Sequence, residues 1–240
     1  MKIIVLQHIN IEDPGYIKDL MIKDGVELTT IELDEGQKIP SDLSKFDAMF
    51  CMGGPMDTWM EKDFPWLVEE KKKIKEFVLE LNKPYLGFCL GCQLLGEVAG
   101  GIVTKSKNPE IGMLDINFSE NKKNDLLFSE FPEKITSLQW HSYEVQDLEK
   151  NKDITLIASS PETKYQIFKY KKHAYGIQFH IEVKSTTVGE WGCVPEYKSA
   201  LEKQLGEGAL NKFEKDSQKH MPSMNKYSKV LYENFKKLAQ

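Results

Sequence analysis

Arginine is absent from this sequence. All 32 basic residues are lysine, which excludes the forked, bidentate contacts that arginine makes with phosphate and carboxylate groups. Backbone N–H groups, amides or lysine must therefore hold any carboxylate of a substrate. The net charge of −5 and the pI near 5.7 argue against nucleic acid or an anionic membrane as a partner. We expect a small-molecule substrate.

Long apolar runs and a disulfide framework are also missing. No run approaches the ~20 residues of a membrane span, and the apolar start of the chain is too short for a signal peptide. We expect a cytoplasmic protein. Only four cysteines are present, and Cys89-x-x-Cys92 lacks the two further ligands that a zinc site needs. We expect no metal and no cofactor, with a redox role for this pair as an alternative and Cys92 packed beneath a helix as the main interpretation.

Strands and helices alternate along the first hundred residues. Buried strands are predicted at 2–7, 26–33 and 46–52, and helices at 16–24 and 65–81. This alternation predicts an α/β fold with a mostly parallel central sheet covered by helices on both faces. Ligands gather beyond the carboxyl ends of the strands in such folds.

The second half of the chain has a different pattern. Short strands with turn signals after Gly101 predict a smaller region of mixed or antiparallel pairing. From residue 194 the chain reads as helical and charged, with a break predicted at Met221-Pro222. We therefore expect one domain over 1–193 and a helical extension over 194–240 that packs on it.

The sharpest local signal is the stretch Gly87-Phe88-Cys89-Leu90-Gly91. It follows an apolar strand opened by Pro84 and precedes an apolar helix, so Cys89 lies at a strand-to-helix turn. Glycines on both sides leave room for a strained residue with positive φ, the geometry of a nucleophile elbow. The helix N-terminus favours thiolate over thiol. Cys89 is thus a candidate nucleophile, although it could be a small buried hydrophobe.

A cysteine nucleophile needs a base and a group that orients the base. His180 and Glu182 are two residues apart in a predicted strand, which places both side chains on the same side. His141 has Glu144 three residues on, which in a strand points to the opposite face. His180 is therefore the candidate base.

Four segments in matching order now resemble the class I glutamine amidotransferase family, which releases ammonia from glutamine. They are Gly53-Gly54-Pro55, Gly87 to Gln93, Gln139 to Ser142, and Gln178 to Glu182. The closest subgroup comprises stand-alone proteins similar to the amidotransferase domain of GMP synthase.

The resemblance implies a flavodoxin-like fold and a role for each matching residue. Cys89 would be the nucleophile, His180 the base and acid, and Glu182 the orienting carboxylate. The N–H groups of Gly54 and Leu90 would form an oxyanion hole. The substrate-binding positions would be Gly53, Gln93, Ser142 and Tyr143, and the covalent intermediate would be a γ-glutamyl thioester.

Two departures from the family pattern stand out. Ile181 replaces the proline that is usual between the histidine and the acid, and Ser142 stands where many members have glycine. Two alternatives to free glutamine hydrolysis also remain: a γ-glutamyl peptidase acting on glutathione-like compounds, and a glutaminase subunit that is silent until a separate synthase binds.

Overall fold

The computed structural model describes all 240 residues, and one sheet of nine strands runs through them. The strands are β1 (Lys2–Gln7), β2 (Glu27–Glu32), β3 (Ala48–Cys51), β4 (Tyr85–Phe88), β5 (Ile102–Phe118), β6 (Lys134–Gln146), β7 (Ile154–Ser159), β8 (Ile167–Tyr170) and β9 (Ala174–Ile177). The α-helices are α1 (Gly15–Lys23), α2 (Trp66–Lys75), α3 (Leu90–Val98), α4 (Thr187–Trp191), α5 (Pro195–Leu205) and α6 (Ala209–Leu238). A π-helical turn (Glu76–Glu80) and two 3-10 turns (Glu120–Asn124 and Leu148–Lys150) complete the elements.

The sheet has a parallel half and an antiparallel half. Its order is β2-β1-β3-β4-β9-β8-β7-β5-β6. The first five strands in this order pair in parallel, and the remaining pairs are antiparallel. This arrangement confirms the predicted α/β fold and its mixed second region. The ends of β3, β4 and β9 meet at one edge, as parallel topology requires.

Hydrophobic cores lie on both faces of the sheet. One buries apolar side chains of α1 and α6 against β1, β3 and β4, and the other buries side chains of α2 and α3 against the opposite face. Every residue of β3 and β4 is buried. These strands are covered on both sides, which accounts for their continuous apolar sequence.

Two local predictions are wrong. The pattern after Gly101 predicts only short strands, two of them at 102–103 and 113–118, but both are parts of one long strand, β5, whose pairing with β6 shifts register between Lys105 and Glu110. The predicted break at Pro222 is absent, because α6 continues through it. Met221 and Met224 are buried on either side of this proline, so tertiary packing stabilises a helix that local propensity disfavours. The helical chain is interrupted earlier, at Gly206 and Gly208, both with positive φ.

The C-terminal helices pack against the rest of the chain. Phe213, Met224, Leu231 and Phe235 of α6 belong to the same buried cluster as β1 and β3. The division into residues 1–193 and 194–240 stays a prediction. None of the helices combines the length and apolar character that crossing a membrane requires.

Candidate active site

Cys89 lies at a strained turn between β4 and α3. Its φ is 49° and its ψ is −101°, a conformation that costs a non-glycine residue on the order of 1–3 kcal/mol. The backbone holds it there: its N–H donates to the carbonyl of Ile177 at 2.8 Å, and its carbonyl accepts from the N–H of Gln93 at 3.0 Å. The predicted positive φ is confirmed, and the thiol lies at the N-cap of α3.

The two flanking glycines are required by close packing. A Cβ at Gly91 would lie 2.1 Å from the carbonyl oxygen of Cys51, and one at Gly87 would lie 2.5 Å from the backbone of Gly91. Any larger residue would push α3 away from β3 or β4. The turn therefore keeps its shape only with glycine at both positions.

His180 and Glu182 form a buried pair beside this turn. His180 Nδ1 lies 2.6 Å from Glu182 Oε1, and both side chains are nearly inaccessible to solvent. The pair follows the end of β9, where His180 makes an isolated bridge to Leu138. Burial opposes the charged imidazolium, but Glu182 and a hydrogen bond to the Cys89 thiol raise the pKa of His180 well above its ordinary value. The local spacing thus brings these two residues together, as predicted.

Both oxygens of the Glu182 carboxylate are held. Oε1 contacts His180, and Oε2 accepts the N–H of Ile181 at 2.9 Å. A proline at position 181 would have no N–H to donate. The backbone of Glu182 is held as well. Its carbonyl oxygen accepts the N–H of Tyr16 at 2.5 Å and would lie 2.1 Å from a Cβ at Gly15.

A cleft of about 330 Å³ opens beside Cys89, a volume within the usual range for small-molecule sites. Its walls come from the loop after β3, the start of α3, residues 140–143 of β6 and helix α5. The lining residues are Gly54, Pro55, Met56, Asp57, Met60, Cys89, Leu90, Gln93, Trp140, His141, Ser142, Tyr143, Glu196, Tyr197 and Ala200. Burial raises the pKa of Asp57 in this wall to about 6.

The cleft contains five of the predicted residues besides Cys89: Gly54, Leu90, Gln93, Ser142 and Tyr143. Gly53 lies next to it but does not line it. Its carbonyl oxygen contacts His8 Nδ1 at 2.8 Å. The structure therefore brings the predicted residues into one region, with Gly53 as a support of the loop that carries Gly54.

The side-chain amide nitrogen of Gln93 makes two hydrogen bonds within the protein. Its Nε2 donates to Gln178 Oε1 and to the carbonyl oxygen of Tyr143, each at 3.2 Å. The Gln178 amide in turn donates toward Cys89 Sγ at 3.5 Å. These contacts fix the Gln93 side chain in the cleft and leave its oxygen as the group that can accept from a ligand.

Cys92 does not share the environment of Cys89. It is fully buried and lies against Gly176 of β9. Burial raises the pKa of its thiol well above the ordinary value, and both cysteines are free thiols. The expected packing of Cys92 beneath α3 describes this position, and the redox alternative gains no support from it.

The sequence reasoning missed a second carboxylate near His180. Glu12, in the loop between β1 and α1, is fully buried, and the hydroxyl of Tyr197 on α5 donates to its Oε1. Burial raises the pKa of Glu12 to about 7, although His180 and Tyr197 act in the opposite direction. Trp191 packs edge-on against the His180 ring, with ring centroids 4.6 Å apart. Nothing local in the sequence signals a contact between residues 12 and 197.

A second group of cysteine, histidine and glutamate lies behind the site. His8 Nε2 is 2.9 Å from Glu70 Oε1, and the Cys51 thiol donates to the same oxygen at 3.4 Å. All three side chains are inaccessible to solvent. They are close enough to hold a metal ion, but hydrogen bonds between them already use the shared carboxylate oxygen. Burial lowers the pKa of His8, while Glu70 and the Gly53 carbonyl outweigh this and raise it.

Comparison with known proteins decides the family. The sequence model of the family described as Glutamine amidotransferase class-I matches residues 16–191. The chain belongs to this family. A glutamine-hydrolyzing GMP synthase subunit of Saccharolobus solfataricus is 31% identical over 160 residues, which covers 66% of this chain and 79% of the relative. The same subunit of Ignicoccus hospitalis is 36% identical over 151 residues, covering 62% of this chain and 74% of that one.

A solved structure extends the likeness to the whole length of this class I amidotransferase. The crystal structure of a glutamine amidotransferase from Thermotoga maritima has a TM-score of 0.85 and 26% identity, and covers 100% of this chain and 98% of that one. The helices after residue 193 therefore have counterparts there. Family and relatives support ammonia release from glutamine by a Cys-His-Glu amidohydrolase, and they do not favour the γ-glutamyl peptidase alternative.

Proposed function

We propose that Cys89, His180 and Glu182 are the triad with which this amidotransferase hydrolyses glutamine. The observation that carries the proposal is the chain of contacts from Glu182 through His180 to the thiol at the strained turn. Because Nδ1 of His180 is held by Glu182, the other ring nitrogen is free to exchange a proton with Cys89. His180 takes the proton of Cys89 as the sulfur attacks, and its raised pKa favours the imidazolium form that results.

The first half of the reaction releases ammonia. The Cys89 thiolate attacks the side-chain amide carbon of glutamine, and the electrons of the carbonyl move onto its oxygen. As the tetrahedral intermediate collapses, the C–N bond breaks and His180 donates its proton to the departing nitrogen. Ammonia leaves, and a γ-glutamyl thioester remains on Cys89.

Two backbone N–H groups support the proposed oxyanion hole. The N–H of Gly54 makes no hydrogen bond within the protein. Leu90 is the first residue of α3, where an N–H has no intrahelical acceptor. Both residues line the cleft beside Cys89. Each donor of this type typically contributes ~3 kcal/mol to transition-state stabilisation.

The amino-acid end of glutamine would lie along Gln93, Ser142 and Tyr143. Both amide hydrogens of Gln93 are donated within the protein, so its oxygen is the group available to accept from the substrate ammonium. Gly53 acts indirectly, since its carbonyl is anchored by His8 and its neighbour Gly54 faces the cleft. No lysine lines the cleft, so backbone N–H groups are left to bind the substrate carboxylate.

The second half of the reaction restores the enzyme. Neutral His180 takes a proton from water, the hydroxide attacks the thioester carbon, and the C–S bond breaks to give glutamate. Glu182 stabilises the imidazolium that forms in this step. The thiolate and imidazolium are then ready for the next glutamine.

The consumer of the ammonia would be a separate synthase protein. Two of the relatives are themselves named as one subunit of a GMP synthase, which supports a two-subunit arrangement for this chain. We also infer a cytoplasmic location, because all four cysteines are free thiols, as is usual in a reducing compartment.

The test is an assay of ammonia and glutamate released by the purified chain from glutamine, with a γ-glutamyl dipeptide in parallel. Cys89→Ala should abolish release, whereas Cys51→Ala should keep turnover. Glutamate release that persists in Cys89→Ala would refute the assignment. Preference for the dipeptide would restore the peptidase alternative. If the chain alone releases no glutamate but does so once a synthase is added, activation by a partner is favoured.

A further inference from the structure

Helix α5 reaches the catalytic histidine through a buried contact that the triad itself does not need. The hydroxyl of Tyr197 on this helix donates to Glu12 in the loop after β1. Glu12 is 2% exposed. A carboxyl group so deeply buried is costly unless it is paired or hydrogen-bonded, so its position requires an explanation.

The Glu12 carboxylate and the His180 ring both adjoin Gly53 in the glycine loop. The point where a Gly53 Cβ would stand is 2.0 Å from Glu12 Oε2 and 3.3 Å from His180 Cε1. Glycine at position 53 therefore makes room for the carboxylate. The ring atom of His180 nearest to this position is Cε1, whereas Glu182 contacts the ring at Nδ1.

The titratable groups that face Glu12 are His8, His180, Glu182 and Tyr197. Attraction to the two histidines and the tyrosine hydroxyl favours the ionised carboxylate, whereas burial and Glu182 oppose it. The groups that face His180 are Glu182 and Cys89, and Trp191 packs on its ring. An ionised Glu12 thus adds a negative charge beside the imidazolium without taking its ring nitrogen.

We propose that Glu12 is a positioning residue for the triad: held by Tyr197, its carboxylate stabilises the imidazolium form of His180. The proposal rests on the assignment of Cys89 and His180 as nucleophile and base. Helix α5 then supports the triad, because Tyr197, which lines the cleft, also holds Glu12 in place. Trp140, whose indole N–H donates to the carbonyl of Tyr197 at 3.2 Å, anchors the same turn of α5.

Glu12→Gln is the decisive variant, because the amide oxygen can still accept from Tyr197 while the charge is lost. Without that charge the imidazolium is less stable, so His180 loses its proton at a lower pH. We expect kcat for glutamine to fall about tenfold with little change in KM, equivalent to roughly one pKa unit. Glu12→Asp should recover part of the loss. Glu35→Gln, on an exposed turn, is the matched control and should behave as wild type.

A second readout does not depend on turnover. The rate of Cys89 alkylation by iodoacetamide is followed against pH by mass spectrometry, in a Cys193→Ser background that removes the exposed thiol. The upper inflection of this profile reports loss of the His180 proton. In Glu12→Gln it should move down by about one pH unit, and Tyr197→Phe, which keeps the ring, should shift it less in the same direction.

The outcomes separate the two proposals. An upper inflection in Glu12→Gln identical to that of wild type overturns the role of Glu12, whatever the activity. If Glu12→Gln does not fold, Tyr197→Phe decides by the same criterion. If wild type releases no glutamate that depends on Cys89, the proposed hydrolysis fails, while the alkylation profile still tests Glu12.

Discussion

Two groups of cysteine, histidine and glutamate lie on either side of the loop that carries Gly53. In the first, the histidine is central: His180 contacts both Glu182 and Cys89. In the second, the carboxylate is central: Glu70 contacts both His8 and Cys51. The first adjoins the cleft, and the second is closed to solvent.

The difference shows that residue types alone do not make a triad. A nucleophile needs a base that can take its proton, an accessible thiol and a donor for the developing oxyanion. Cys51 lacks the accessible thiol, because it is fully buried, and burial raises the pKa of that thiol well above the ordinary value. The second group instead anchors the Gly53 carbonyl through His8, so it supports the loop beside which the first group lies.

The largest expected effect comes from neutralising the carboxylate of each group in turn. Glu182→Gln should lower kcat/KM by about 10³-fold to 10⁴-fold, because the imidazolium loses its partner, and it should also lower the free energy of unfolding by about 3 kcal/mol, because this pair is buried as well. Glu70→Gln should keep kcat within about tenfold but lower the free energy of unfolding by about 3 kcal/mol, because a buried charge pair is broken. Glutamine turnover and denaturant unfolding of both variants provide the measurements. A large loss of kcat without destabilisation in Glu70→Gln would contradict a purely supporting role for the second group.

A smaller effect concerns Glu12, which lies between the two groups. Its pKa is about 7 when folded against an ordinary 4.5, so the folded state binds a proton that the unfolded state has lost. Stability from this group is present below pH 4.5 and declines as the pH rises to about 7, by about 3 kcal/mol at most. Glu12→Gln should remove this decline.

The measurement is the free energy of unfolding of wild type and Glu12→Gln between pH 4.5 and 8. The variant should gain stability relative to wild type as the pH rises through this range. Glu35→Gln should show the wild-type slope. Parallel curves for Glu12→Gln and wild type would contradict a raised pKa.

The smallest effect concerns the backbone between the two triad members. Ile181→Pro removes the N–H that holds Glu182 Oε2, a hydrogen bond worth about 1.5–3 kcal/mol when the acceptor is charged. We expect kcat to fall by roughly a factor of ten or less, since Oε1 still contacts His180. Ile181→Val keeps the N–H and should match wild type. A proline variant with full activity would show that the bond is dispensable for catalysis.

The sequence was informative wherever the deciding contact is local. The elbow follows from glycines two residues on either side of Cys89, and the His180 pair from an offset of two residues. The parallel strands were predictable because their apolar runs are buried on both faces. The resemblance in four segments then placed the residues of the cleft.

Contacts between distant residues could not be predicted in this way. Glu70 meets His8 across 62 residues and Tyr197 meets Glu12 across 185, and no periodicity encodes either pair. The failure at Pro222 has the same origin, since the buried methionines around it stabilise the helix through tertiary packing. Helix propensity alone predicts the structure poorly where a long helix packs on the hydrophobic core.

The hydrogen bond between Glu12 and Tyr197 joins an early part of the chain to a late one. Ribosomes add roughly 5–20 residues each second, so about 10–40 s separate the synthesis of these two residues. Strands β1, β3 and β4 and the elbow can emerge and pair during that interval. The surroundings of His180 are complete only after α5 has been synthesised and packed. A nascent chain therefore gains its full hydrolytic competence only near the end of translation, after its sheet has formed.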